Sequence, residues 1–76
     1  MKLSKEQKQM ISELNAFMDR NGLTQDAAAY IMATTDRTMR RWVAGHVRPP
    51  GAVELLLEVF RKNPSIEKEI VRKYAA

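Results

Sequence analysis

Residues 24–42 read TQDAAAYIMATTDRTMRRW: three alanines in a row and then, after a short gap, three arginines within five positions. Two helical stretches joined by so short a connection must cross steeply and touch closely. Close approach requires small side chains at the crossing, and Ala28 and Ala29 supply them on the first stretch. At about 100° per residue, Ala28, Ala29 and Met32 share one face, and Met39, Trp42 and Val43 share a face of the second stretch. The opposite arc of that second helix carries Arg37, Arg41 and Ala44. Asp36 and Arg40 lie on one flank and Thr38 on the other. The pattern predicts a helix held down by an apolar edge with a cationic edge turned outward.

The flanking sequence predicts three further helices. Ser4 and Gln7 have the spacing of a capping box, and Met10, Leu14, Phe17 and Met18 then repeat at helical spacing. Asn21-Gly22 ends that helix, with Gly22 as a left-handed cap. Thr24 caps the second helix and Thr35 the third, each with an acid in the first turn, Asp26 and Asp36. VRPPG, residues 47–51, reads as a rigid loop. The fourth helix carries one apolar stripe of Val53, Leu56, Leu57 and Phe60, and another of Leu55 and Val59. Asn63 and Pro64 read as the cap and first position of a fifth helix, with Ile66, Ile70, Val71 and Tyr74 along one side. No strand pattern, repeat or linker is evident. The expectation is an all-α fold of five short helices in one domain, residues 1–76.

Composition narrows the function. The 76 residues include 45% hydrophobic ones, enough for one modest core. Chains this small gain from oligomerisation, and with no cysteine this one cannot form disulfides. Absent cysteine excludes thiolate metal sites and a Cys nucleophile, and it fits a reducing compartment. The single histidine, His46, has no ligand partner at useful spacing, so no metal site is expected. No Gly-rich phosphate loop and no evident pairing of acids for proton transfer are present, so neither an enzyme nor a bound cofactor is expected. No small-molecule ligand is evident. The longest apolar run, Ala27–Ala33, is too short to span a membrane, and MKLSKEQKQM lacks the apolar segment of a secretion signal. Cytoplasmic residence follows as the expectation.

Charge is distributed unevenly. The net charge is +4, yet from Met10 to Asp36 only Arg20 is basic. From Arg37 to Arg48 stand four arginines and His46, without an acid. An amphipathic helix presented this way fits the major groove of B-DNA. Arginine forks match the O6 and N7 acceptors of guanine, and the small Ala44 permits close approach and contact with a thymine methyl.

LTQDAAAYIMATTDRTMRRWVAG, residues 23–45, resembles the helix-turn-helix of the Cro/cI-type, or XRE-like, repressor family. The likeness rests on Leu23-Thr24-Gln25, Ala29, Met32, Thr35, Thr38, Met39, Arg41, Trp42 and Gly45, and extends over about residues 10–64 with the proline-bearing loop and Leu-rich helix that follow. It implies a five-helix lambda-repressor-like DNA-binding domain with its helix-turn-helix at 24–44. Three departures stand out. Ala33 occupies the turn position where the family usually has glycine; an alanine with φ > 0 costs about 1 kcal/mol, so a differently bent turn is expected. Thr34 replaces an aliphatic residue. Tyr30 and Ile31 stand where polar residues are usual, which suggests a covered or partner-facing surface.

The resemblance also implies roles. Asp36, Arg37 and Arg41 would read bases, joined by Ala44. Gln25 would anchor on phosphate, with Thr35, Thr38, Arg40, His46 and Arg48 as further backbone contacts. Asp36 has two roles open, acceptor from a cytosine amino group or stabiliser of the helix N-terminus. The implied partners are double-stranded DNA and a second copy of the chain, because one recognition helix covers only a few base pairs. Leu55, Val59, Ile66, Ile70 and Tyr74, within helices 52–74, are the candidate dimer surface; alternatively they close the monomer's own core. The implied activity is a sequence-specific transcriptional regulator, a dimeric repressor on an inverted repeat, in a phage Cro-like, antitoxin-like or anti-CRISPR-associated setting. The rival is a helical protein-interaction module, or a phage-borne inhibitor of a host protein, that does not read DNA.

Overall fold

Each of the first three helices begins on a hydroxyl and ends on a left-handed residue. The Ser4 hydroxyl accepts the Gln7 N–H at 3.1 Å, and Gln7 Oε1 accepts the Ser4 N–H at 3.0 Å, closing the predicted capping box. Thr24 and Thr35 accept the N–H groups of Ala27 and Thr38 at 3.2 and 3.1 Å. At the far ends Gly22, Ala33 and Gly45 have φ of 62°, 57° and 81°. After each, a backbone N–H donates five residues back at 2.9 Å: Leu23 to the Met18 carbonyl, Thr34 to Ala29 and His46 to Arg41. These are three Schellman closures in succession.

The computed structural model describes residues 3–74, so residues 1, 2, 75 and 76 of the expected domain lie outside it. It contains α1 (Lys5–Asn21), α2 (Gln25–Ile31), α3 (Asp36–Val43), α4 (Gly51–Lys62) and α5 (Pro64–Tyr74), with no strand among the described residues. The all-α, five-helix expectation holds. No described helix is long and apolar enough to cross a membrane.

The core follows the helical spacing. Met10, Leu14, Phe17 and Met18 of α1 are buried with Ala28, Ala29, Met32, Met39 and Trp42, and with Val53, Leu57 and Phe60 of α4. Phe17 and Phe60 stack at 5.4 Å between ring centroids. Met10, Met18, Met32 and Met39, each on an apolar face in the sequence, are all buried. Ala28 and Ala29 are fully or almost fully buried, and their helix α2 packs on α3. α3 also packs on α1, α1 on α4, and α5 on α2 and α4.

One local expectation is corrected. Ala33 does not bend the turn away from left-handed geometry; it adopts φ 57° itself. Hydrogen bonds enforce this on both sides. The Met32 and Ala33 N–H groups donate to the Ala28 and Tyr30 carbonyls at 3.0 and 3.1 Å, and Thr35 begins the next cap two residues on. The connection therefore overrides the preference of an L-residue. Asn63 caps α5 and Pro64 is its first residue, as expected, the cap being made by the backbone. Its carbonyl accepts the Ile66 and Glu67 N–H groups, whereas its side-chain Nδ2 turns back to the Val59 carbonyl at 2.9 Å. One acid is buried. Glu67 is the buried residue of α5, while Ile66 and Tyr74 are exposed.

Glu67 is buried because it has a partner. Arg20 of α1 donates from Nε to both carboxylate oxygens at 3.1 and 3.0 Å and also pairs through Nη2. A bidentate pair of this kind is the usual way to hide a carboxylate. The Arg20 hydrogen bonds hold the Glu67 carboxyl below the ordinary carboxylate value, although burial pushes the other way. The same bond raises the Arg20 guanidinium. Arg20 also lies 5.8 Å from the centre of the Phe17 ring.

Two predictions follow from the fold. Ala33→Gly should stabilise the chain by about 0.5–1 kcal/mol, because relief of the left-handed strain outweighs the added freedom of the unfolded chain; urea unfolding measures it, and a loss of stability would show the turn to be unstrained. The second concerns acid. Glu67 has a depressed folded pKa, so its contribution is complete well above the ordinary value of 4.5 and is lost as pH falls through the folded value. Urea midpoints should drop below about pH 4.5, and less steeply in Glu67→Gln, which starts from lower stability at neutral pH. Parallel acid limbs would mean that the pair contributes nothing.

Candidate nucleic-acid interface

α3 has eight residues, and its burial divides them sharply. Met39 and Trp42 are buried and Val43 half-buried, so this edge is held against α1 and α2. Trp42 is core, as expected. Arg37, Arg40 and Arg41 are exposed, as is Ala44 just past the helix. Arg37 and Arg41 stand one turn apart on the outer arc, about 6 Å along the axis. Among the described residues neither makes an ion pair within 4 Å.

The remaining candidates fall into three groups. Asp36 and Arg40 form one: the Arg40 guanidinium donates to the Asp36 carboxylate at 2.6 Å, four residues apart. Asp36 is thereby occupied on its own helix as well as placed at the helix N-terminus, and its free role as a base acceptor is reduced. The second group is Thr35 and Thr38. The Thr35 hydroxyl accepts the Thr38 N–H and donates to Thr38 Oγ1 at 3.0 Å. Thr38 Oγ1 therefore accepts from within the chain and keeps its own proton for an outside acceptor. The third is the loop after α3. His46 and Arg48 are both exposed. Arg48 already faces acids, with Glu54 at 3.4 Å and Glu6 at 3.8 Å.

Gln25, the first residue of α2, is half-buried and shares a shallow cleft of about 220 Å³ with Asp36 and Arg40. The fold thus brings the starts of α2 and α3 to one cleft. Asp26 lines the same cleft and had no assigned role; its spacing from Thr24 marked it only as a helix-start residue.

The candidate dimer residues are not brought onto one face. Leu55 lines a groove between α1 and α4 beside Glu6, Glu13, Glu54 and Glu58. Ile70 and Tyr74 line a different groove with Tyr30 and Ile31 of α2. The reason is rotational: Leu55 and Leu56 are adjacent on α4 and so point about 100° apart, one into each groove. Tyr30, flagged only by its unusual position, belongs to the second group.

The groove beside Leu55 is lined by four glutamates and Arg61, and two of those glutamates face Arg48 of the loop after α3. Among the described residues no cluster of three or more His, Asp or Glu side chains is placed to hold a metal ion. No family model, curated protein or solved structure matches this chain.

The Asp36–Arg40 pair is exposed and short, and its value is testable. Asp36→Asn should cost about 0.5–1 kcal/mol, the sum of a helix-terminus effect and a surface pair. The loss should shrink in high salt. Urea unfolding at two ionic strengths measures both, and a loss that salt leaves unchanged would mean that Asp36 acts by packing.

Proposed function

We propose that this chain is a sequence-specific double-stranded DNA-binding regulator of the lambda-repressor-like helix-turn-helix kind, with α3 as its reading helix. One observation carries the proposal. Arg37 and Arg41 are exposed, without an internal partner among the described residues, and aligned on the outer edge of a helix whose inner edge is buried. Two guanidinium forks aligned in this way suit guanine edges in a major groove. Ala44, exposed at the far end, leaves room for the groove wall.

The supporting cast has a division of labour. Gln25 and the Thr38 hydroxyl, at the starts of α2 and α3, suit phosphate oxygens. Thr35 braces Thr38. Arg40, His46 and Arg48 lie further along the same basic stretch and add salt-sensitive affinity. Asp36 serves chiefly to order Arg40 and the helix N-terminus. A dimer seated on two half-sites about 34 Å apart would repress by occupying a promoter. The reaction is binding alone, with no chemistry asked of any side chain.

A second reading, the protein-interaction module, has one observation in its favour: Arg40 and Arg48 are already paired to acids of their own chain. The two readings separate on a single experiment. Selection from random duplexes at two salt concentrations should enrich a site containing guanine, with affinity falling steeply as salt rises. Absence of salt-dependent affinity for any duplex would transfer the proposal to the interaction module. Within the DNA reading, Arg41→Ala should cost about 1–3 kcal/mol on the selected site and relax preference at one base pair. Equal weakening on every sequence would make Arg41 a phosphate clamp instead.

A further inference from the structure

Asn21 is the last residue of α1, and Gly22 follows it in a left-handed conformation. The other asparagines, Asn15 and Asn63, precede Ala16 and Pro64. Asparagine before glycine is the pair most open to spontaneous deamidation, because glycine has no side chain to crowd the attack of its own backbone nitrogen. In that reaction the Gly22 nitrogen gives up its proton and bonds to the side-chain carbonyl carbon of Asn21. The bond from this carbon to Nδ2 breaks, and ammonia leaves with the proton. Water then opens the five-membered ring. Opening at one carbonyl gives aspartate; opening at the other gives a backbone routed through the side chain.

The fold restrains both reacting groups. Asn21 Nδ2 donates to the Phe17 carbonyl at 2.9 Å, which turns the amide back along α1. The Gly22 N–H, whose proton must leave, donates to the Asp19 carbonyl at 3.3 Å. The Leu23 N–H fastens the same turn to the Met18 carbonyl at 2.9 Å. Asn15 and Asn63 make the same backward bond, to the Ile11 and Val59 carbonyls, but neither has glycine after it, and Pro64 has no N–H to lose.

We infer that Asn21-Gly22 is a deamidation site gated by the end of α1, closed while the turn is closed and reactive when that end opens. The rate in the folded chain is then the open-chain rate multiplied by the fraction of molecules open there. The Arg20–Glu67 pair governs that fraction. Arg20 precedes Asn21 and ties the end of α1 to α5, and all three residues line one hollow of about 440 Å³. The product does not fit the place it came from. A carboxylate at position 21 has no proton for the Phe17 carbonyl and adds a second anion beside Glu67. Arg61 and Lys68 line the hollow and temper the added charge, but they do not replace the lost donor. A backbone routed through the side chain lengthens a turn whose hydrogen bonds depend on its exact span. A molecule that opens long enough to react therefore returns to a weaker fold, and the modification records the opening. None of this depends on what α3 binds.

Ageing the full chain in mildly alkaline buffer, with and without denaturing urea, tests the inference. Mass spectrometry of peptides spanning residues 21 and 22 follows the exchange of the amide for a hydroxyl. In urea Asn21 should convert while Asn15 and Asn63 stay intact. In native buffer its conversion should be slower by about tenfold or more. Glu67→Gln, with helix content checked by circular dichroism, should convert about threefold or more faster than the wild type in native buffer and at the same rate in urea. Asn21→Asp should unfold at a lower urea concentration than the wild type. Equal wild-type rates in the two media overturn the gate, whether or not Glu67→Gln folds. Conversion of Asn15 or Asn63 ahead of Asn21 overturns the site. A folded Glu67→Gln that ages no faster than the wild type detaches the gate from the Arg20–Glu67 pair, and an Asn21→Asp chain as stable as the wild type removes the record. Because no duplex is present, each outcome leaves the DNA-binding proposal to its own experiment.

Discussion

The burial of Met39 and Trp42 against the rest of the core is the contact on which the other features depend. An eight-residue helix has little stability of its own in water. α3 exists because its apolar edge is covered, and it can be covered closely because Ala28 and Ala29 bring α2 within reach. Larger side chains at those two alanines would lift α3 from the body and turn its arginines. Replacing the indole by a methyl would remove about 3–5 kcal/mol, a large share of what a domain of this size possesses. The outward cations are thus a consequence of inward packing.

The turns do comparable work with very few atoms. A hydroxyl starts each of the first three helices, and a left-handed residue stops each of them. At Gly45 glycine is required twice over. Its φ is 81°, and an added Cβ would meet Leu3 Cδ2 at 2.9 Å and Ile11 Cδ1 at 3.2 Å. At Ala33 the same backbone is adopted without that freedom, on an exposed position where the added methyl has space. At Ala33 the strain in φ is offset by neighbouring hydrogen bonds, whereas an alanine at Gly45 would add to the same strain a displacement of the side-chain ends of Leu3 and Ile11.

Features set by neighbours in sequence were legible in it. The capping box of Ser4 and Gln7, the hydroxyl caps at Thr24 and Thr35 and the stripes of α1 and α3 all follow from spacings of three or four residues. Features set by distant partners were not. Nothing local distinguishes Glu67 from Glu69, yet Glu67 meets Arg20 across 47 positions and is buried. Arg48 likewise finds Glu6 of α1, far away in the chain. The candidate base readers Arg37 and Arg41 were found from the wheel because both lie on one short helix. The two grooves were not legible because adjacent residues of α4 line different ones, and only the placement of α1 and α5 tells Leu55 from Leu56.

The internal ion pairs bear on how the proposed interface would discriminate. Of the four arginines between positions 37 and 48, Arg40 and Arg48 have carboxylate partners and Arg37 and Arg41 have none among the described residues. Exposed pairs are worth at most about 1 kcal/mol. A phosphate can therefore displace Asp36 or Glu54 with little loss, but a single weak charge in solution gains little by doing so. Paired arginines lower the attraction for arbitrary polyanions while remaining ordered for a duplex that fits. The two unpaired forks, set one helical turn apart, bring donor geometry that phosphates do not require and base edges do. On the proposed reading selectivity would come from the arginines left without internal partners, and the salt-sensitive grip from those that must exchange one partner for another.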